Sequence, residues 1–259
     1  MKTHNAISGL LLAGILTLTS CLKQDTDLAA QPQPSADRSN NSTPAVESLL
    51  WNGDASLGSS NVWKVRNIEG EGTINTPTDP AYGKVWEFYK PAGSHRTEGH
   101  GAKGFQAVEG SNIYLGWRSK LVMPQGLTTN AVFQWKAYGS NMQQNFPIVI
   151  KTIGGKLRLF HFAPGKIGTE LWNTTLVTNS WNSYVMRIRV SKDSTQGYIE
   201  FWYNGVQQTL SNGSTRYYAR TLDADYCDPK WGIYGGDSED LTNYVGALKI
   251  ASSYAEAAP

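Results

Sequence analysis

The chain from residue 49 onward predicts an all-β domain, a sandwich of antiparallel sheets. Three observations carry that expectation. Short runs rich in Val, Ile, Phe, Trp and Tyr alternate with clusters of Gly, Asn, Ser and Thr, the punctuation of strands and turns. Inside the runs, apolar and polar residues alternate with period two, and no long amphipathic helical period stands out. Roughly 210 residues suit one large all-β domain better than two small ones.

The predicted strands are, in order, 84–90 (KVWEFYK), 113–123 (IYLGWRSKLVM), 131–138 (AVFQWKAY), 147–153 (PIVIKTI), 156–163 (KLRLFHFA), 183–191 (SYVMRIRVS), 197–205 (GYIEFWYNG), 230–236 (KWGIYGG) and 244–252 (YVGALKIAS). "GGK" after Ile153 and "NG" after Tyr203 are hairpin signals. Within AVFQWKAY the alternation puts Phe133, Trp135 and Ala137 on one face, with Gln134, Lys136 and Tyr138 on the other. In KWGIYGG, Trp231 and Ile233 read as core, while Lys230, Gly232 and Tyr234 share the opposite face. The chain holds 9 Trp and 13 Tyr against 7 Phe, a bias toward aromatics with a polar handle. Such a bias fits a sugar-stacking surface and fits equally a large core that uses Trp and Tyr.

The start of the chain, MKTHNAISGLLLAGILTLTSC, has one early lysine, an apolar run too short to span a bilayer comfortably, and small residues before Cys21. The closing LTSC resembles the lipobox of bacterial lipoproteins, so residues 1–21 are expected to be a signal with Cys21 as the lipid-carrying residue. Residues 22–48, rich in Gln, Pro, Ser, Asn and Asp, are expected to be a flexible tether. This implies a bacterial envelope protein that meets a membrane only through the lipid on Cys21. A net charge of +2 gives no argument for nucleic acid, and the expectation is a monomer. With Cys21 lipidated, Cys227 stands alone, which excludes an internal disulfide and a cysteine metal site.

Three stretches combine side chains that can do chemistry. SHRTEGHG, 94–101, carries His95, Arg96, Glu98 and His100; if it is extended, Arg96, Glu98 and His100 share a face and His95 points away. The others are Gln134 with Lys136, and Lys230 with Tyr234. DSED, 237–240, is a loop that could hold a structural Ca²⁺ or simply be a solvated acidic loop. No His or Cys spacing suggests zinc, and no cofactor is called for.

These stretches resemble the motifs of jelly-roll polysaccharide lyases, in chain order: RTEG for R-(S/T)-E-L, QWK for Q-(I/V)-H, and PKWGIYGG for Y-F-K-A-G-x-Y. The run 179–205 resembles paired strands of the heparin-lyase and glucuronan-lyase folds, and DPKWGIYGG with NYVGALKIA is most similar to the glucuronan lyases. The resemblance implies a concanavalin-like β-jelly roll over 49–259 that cleaves a uronic-acid polymer, such as glucuronan or alginate, by β-elimination. It implies Tyr234 as acid/base, Gln134 and Arg96 against the substrate carboxylate, and Lys230 on the substrate side. Glu98 is expected to orient the arginine. The chain departs from the pattern at Lys136, which stands where the alginate lyases have histidine. Either Tyr234 then makes both proton transfers, or His100 or His95 supplies an imidazole; sharing a face with Arg96 favours His100.

Two other readings fit the same fold class. A jelly-roll glycoside hydrolase needs two carboxylates roughly 5 to 10 Å apart, and the E-x-D-x-x-E strand of such enzymes is absent, with Glu87, Glu98 and Glu200 each single on its strand. A non-catalytic carbohydrate-binding module would keep an aromatic, basic face without needing Lys230, Tyr234, Gln134 and Arg96 together.

Overall fold

In the computed structural model, residues 48–126 and 129–259 are described. The expected signal and lipobox at 1–21, Cys21 included, and all of the expected tether but Ser48 lie outside the described residues.

Alternation of apolar and polar side chains gives each strand one face to bury, and two sheets stacked through those faces are the result. The strands are numbered in chain order. A nine-stranded sheet runs β15 (Val206–Gln207), β14 (Tyr198–Tyr203), β13 (Trp181–Arg189), β8 (Asn112–Val122), β18 (Leu241–Ala251), β6 (Trp86–Lys90) and β3 (Thr73–Asn75), with β1 (Leu49–Asn52) on β18 and β16 (Tyr217–Tyr218) on β14. A seven-stranded sheet runs β12 (Ile167–Thr175), β11 (Lys156–Ala163), β10 (Ile148–Ile153), β9 (Asn130–Tyr138), β17 (Tyr226–Gly235), β7 (Arg96–Ala102) and β2 (Trp63–Ile68). A small hairpin, β4 (Thr78–Asp79) and β5 (Gly83–Lys84), stands apart. All ladders are antiparallel, and the architecture is the jelly-roll sandwich expected. Both expected hairpins form, with positive φ at Gly154 and Gly155 and at Asn204 and Gly205, as the tight turn requires.

The predicted strands sit within a few residues of those observed. β2, β7 and β12 were not among them, because WKVRNI, RTEGHGA and IGTELWNTT lack a sustained apolar face. The core between the sheets is aromatic. Trp51, Trp63, Trp117, Phe133 and Trp231 pack with ring centroids 5.1–6.0 Å apart, and Trp86 and Trp135 are buried with their indole N–H groups donating to the carbonyls of Gly53 and Thr221. The tryptophan excess therefore serves the interior.

Two bulges shape the solvent-facing side of the seven-stranded sheet. Trp231 and Tyr234 on β17 pair with Phe133 and Ala131 on β9, so β17 carries one residue more; Phe133 and Ala131 in turn pair with Ile150 and Lys151 on β10, so β9 carries one more than β10. Two rows of side chains result: His100, Lys230, Gln134 and Val149 in one, Arg96, Tyr234, Ala131 and Lys151 in the other. The rows are four residues apart on β17, three on β9 and two on β10, so they converge toward β10.

Gly232 sits at the first bulge with φ +142°, and a Cβ there would lie 2.2 Å from the Thr97 carbonyl oxygen and 2.7 Å from Glu98 Cα. Gly232→Ala is expected to cost about 3 kcal/mol or more, read as a lower urea midpoint at unchanged slope.

Candidate active site

The site grows from the solvent-facing side of β7, β17, β9 and β10. Its floor is a buried polar triad. Glu98, 2% exposed, accepts from Gln134 Nε2 at 2.5 Å and from Lys230 Nζ at 3.2 Å. Burial pushes the Lys230 ammonium below the usual lysine range, opposed by the Glu98 carboxylate beside it. Lys230 is only 1% exposed, so it lies beneath the surface and acts on Glu98; it is not the open substrate-side lysine expected. Glu98 does not orient the arginine. Arg96 Nε pairs instead with Glu69 Oε1 at 2.7 Å, and its guanidinium lies 4.8 Å from the centre of the Tyr234 ring.

Above this floor, His95, Ala131, Gln134, Phe146, Lys151 and Tyr234 are among the residues that line a cavity of about 150 Å³. The His95 and Tyr234 rings meet edge to face with centroids 4.5 Å apart. His95 Nδ1 bonds both carboxylate oxygens of Asp237, at 2.9 and 3.0 Å, which leaves Nε2 for another partner.

His100 belongs to a different neighbourhood. It pairs with Lys230, four residues along β7 from the Arg96 that pairs with Tyr234, about 13 Å of strand. Its ring stacks on Tyr138 with centroids 4.7 Å apart, and its Nε2 lies 3.4 Å from Asp228 Oδ2. Sharing a face with Arg96 was correctly read, but His95, at the edge of β7, is the histidine that reaches Tyr234. Burial disfavours the Asp228 charge, yet His100 and Lys64, whose Nζ donates at 2.8 Å, together hold the carboxyl below the usual range. Tyr138 also stacks on Tyr226 at 5.7 Å and carries Lys136 at 5.1 Å from its ring centre. Burial drives the Tyr138 hydroxyl upward and the Lys136 ammonium downward, the latter helped by Lys230. Lys136 donates to Asn145 Oδ1. These groups form an aromatic, charged shelf beside the cavity.

The DSED loop uses its carboxylates internally. Asp237 holds His95, and Asp240 Oδ1 accepts the Ala92 N–H at 2.8 Å. The fully buried ammonium of Lys90 donates to the carbonyls of Pro91, Ser94, Gly236 and Glu239 at 3.0–3.2 Å, so a lysine cation sits among the oxygens that join the two loops. Among the described residues no group of three or more His, Cys, Asp or Glu is arranged to hold a metal.

Lys151, and Asp237 as the partner of His95, escaped the reading of the sequence. Lys151 had a usable signal: in PIVIKTI it is the charged residue on the face that Ile148 and Ile150 do not use.

A family profile described as polysaccharide lyase matches residues 35–246. The chain belongs to this family. Among solved structures, a carbohydrate esterase of the Shiga toxin-encoding bacteriophage phi24B is 15% identical with a TM-score of 0.53, covering 79% of this chain and 98% of that one. A structure of botulinum neurotoxin type C, whose cell entry is dependent upon interaction with two ganglioside molecules, is 11% identical with a TM-score of 0.51, covering 80% and 48%. An alginate lyase of polysaccharide lyase family 7 is 14% identical with a TM-score of 0.48, covering 71% and 85%. The chain spans less than half of the botulinum neurotoxin chains it matches. No functionally curated protein matches it significantly. At these identities the likenesses concern the fold.

Two outcomes follow for this polysaccharide lyase family member. Glu98→Gln leaves the Lys230 ammonium buried without its counter-charge and is expected to cost about 3–5 kcal/mol in chemical denaturation. His161, buried with Nε2 bonded to the Arg220 carbonyl, has its pKa lowered by burial. The folded state therefore resists the proton more than the unfolded chain does, and stability present above about pH 6.5 declines as pH falls through it. His161→Gln should flatten that decline in thermal melts.

Proposed function

We propose that this chain is a lyase of uronic-acid polysaccharides that cuts by β-elimination, with Tyr234 and His95 as its proton-transfer pair. The observation that carries the reading is the contact of those two rings beside a cavity that Gln134 also lines, in a chain of the polysaccharide lyase family. Glucuronan or an alginate-like polymer is the proposed substrate, and a lipid on Cys21 the proposed link to the bacterial envelope.

In the reaction the C5–H electron pair becomes the C4=C5 double bond as the C4–O4 bond breaks. His95 Nε2 takes the C5 proton while Asp237 holds Nδ1 and fixes the ring, and the Tyr234 hydroxyl gives its proton to O4. Charge that moves onto the sugar carboxylate as C5 loses its proton is met by the Gln134 amide and the Arg96 guanidinium. Gln134 is held by Glu98, and Arg96 lies against the Tyr234 ring. This assigns the imidazole missing at Lys136 to His95, and gives Lys136 and the Tyr138 shelf to substrate binding.

A panel of uronate polymers, followed by the ultraviolet absorbance of the unsaturated product, tests the reading. Tyr234→Phe should lower kcat by about 10²–10⁴-fold, and His95→Gln should lower it by a similar factor. New reducing ends without unsaturation would mean hydrolysis, and a Tyr234→Phe enzyme of undiminished rate would remove tyrosine from the mechanism.

A further inference from the structure

Most cations on the active face already have partners. Arg96 pairs with Glu69, Lys230 with Glu98, Lys64 with Asp228, Arg158 with Glu170, and Lys136 donates to Asn145. Lys151 differs: among the described residues its ammonium has no hydrogen bond or ion pair. It lies instead near two ring faces, with Nζ 5.8 Å from the Phe146 ring centre and 5.4 Å from that of Phe162.

Its position in the sheet is specific. Lys151 and Tyr234 flank Ala131 in one row, and alanine leaves the space between them open. Lys151, Tyr234, Gln134 and His95 line the same cavity of about 150 Å³. Beside the apolar Ala131, Phe146 and Val149 it holds an amide, a phenol, a histidine and this one lysine. Burial with no compensating carboxylate lowers the lysine's affinity for its proton, a cost that an incoming anion would relieve.

We propose that Lys151 is a further substrate-contacting residue, whose ammonium pairs with the uronate carboxylate that enters between it and Tyr234 and so selects acidic over neutral sugars. This deepens the lyase reading and rests on it for the identity of the substrate. With Gln134 on the adjacent row, it would place the carboxylate so that C5 of the same sugar faces His95 and Tyr234.

Equilibrium binding tests the assignment without turnover. In the full chain carrying Tyr234→Phe, affinity is measured for a uronate oligosaccharide and for its carboxyl-reduced counterpart. Adding Lys151→Met, which removes the charge and keeps an unbranched side chain, should weaken the acidic ligand about 10- to 100-fold, the range of one charge-assisted hydrogen bond. The reduced ligand should bind as before, and Lys151→Arg should restore most of the loss. Acidic-ligand affinity unchanged by Lys151→Met, or lost equally for both ligands, overturns the assignment even if the wild-type protein yields unsaturated product. Lys151-dependent binding with no unsaturated product from the wild type would instead overturn the lyase reading and keep Lys151. A wild-type protein that neither binds nor cuts any uronate polymer overturns both.

Discussion

The carboxylate of Glu98 lies at the floor of the active face with almost no access to water, and such a charge is tolerable only when paired and hydrogen-bonded. Lys230 meets that requirement from the adjacent strand and Gln134 from the one beyond it, so one buried group ties β7, β17 and β9 together side chain to side chain. The pairing also fixes the Gln134 amide, because one of its N–H groups is held by Glu98. In the proposed reaction, the amide that faces the developing charge is thereby oriented before substrate arrives. Lys230 contributes through that arrangement, from below.

Upon this floor the bulges decide which side chains converge. Successive one-residue offsets across β17, β9 and β10 draw the row of Tyr234 and Lys151 toward that of Gln134 and Val149. Trp231 is held in the aromatic core by Trp51, Trp63, Trp117 and Phe133, so the strand cannot slide to relieve the bulge. The tryptophans hold the platform from inside, and on its solvent-facing side stand Tyr138, Tyr226 and Tyr234.

Local alternation was a sound guide wherever one face of a strand is buried. It separated Phe133, Trp135 and Ala137 from Gln134, Lys136 and Tyr138, and Trp231 and Ile233 from Lys230 and Tyr234, because a one-residue slip would put the whole apolar set into water. It was silent on β2, β7 and β12, which lack a sustained apolar face and whose pairing depends on neighbours already in place. It also could not separate His95 from His100. Both flank Arg96 and Glu98 in sequence, but one sits on a loop and the other on the strand.

The order of motifs, the two tight turns and the inward and outward faces are properties of the chain itself, since they follow from side-chain period and turn chemistry over a few residues. Which charges pair, and which histidine meets Tyr234, were decided only by the tertiary structure. Those outcomes depend on groups far apart in sequence: Glu69 with Arg96, Asp237 with His95, and the buried Lys90 ammonium joining the loops on either side of that contact. Nothing in the local spacing of SHRTEGHG encodes them, because the electrostatic partners that settle them are delivered by loops that follow other strands.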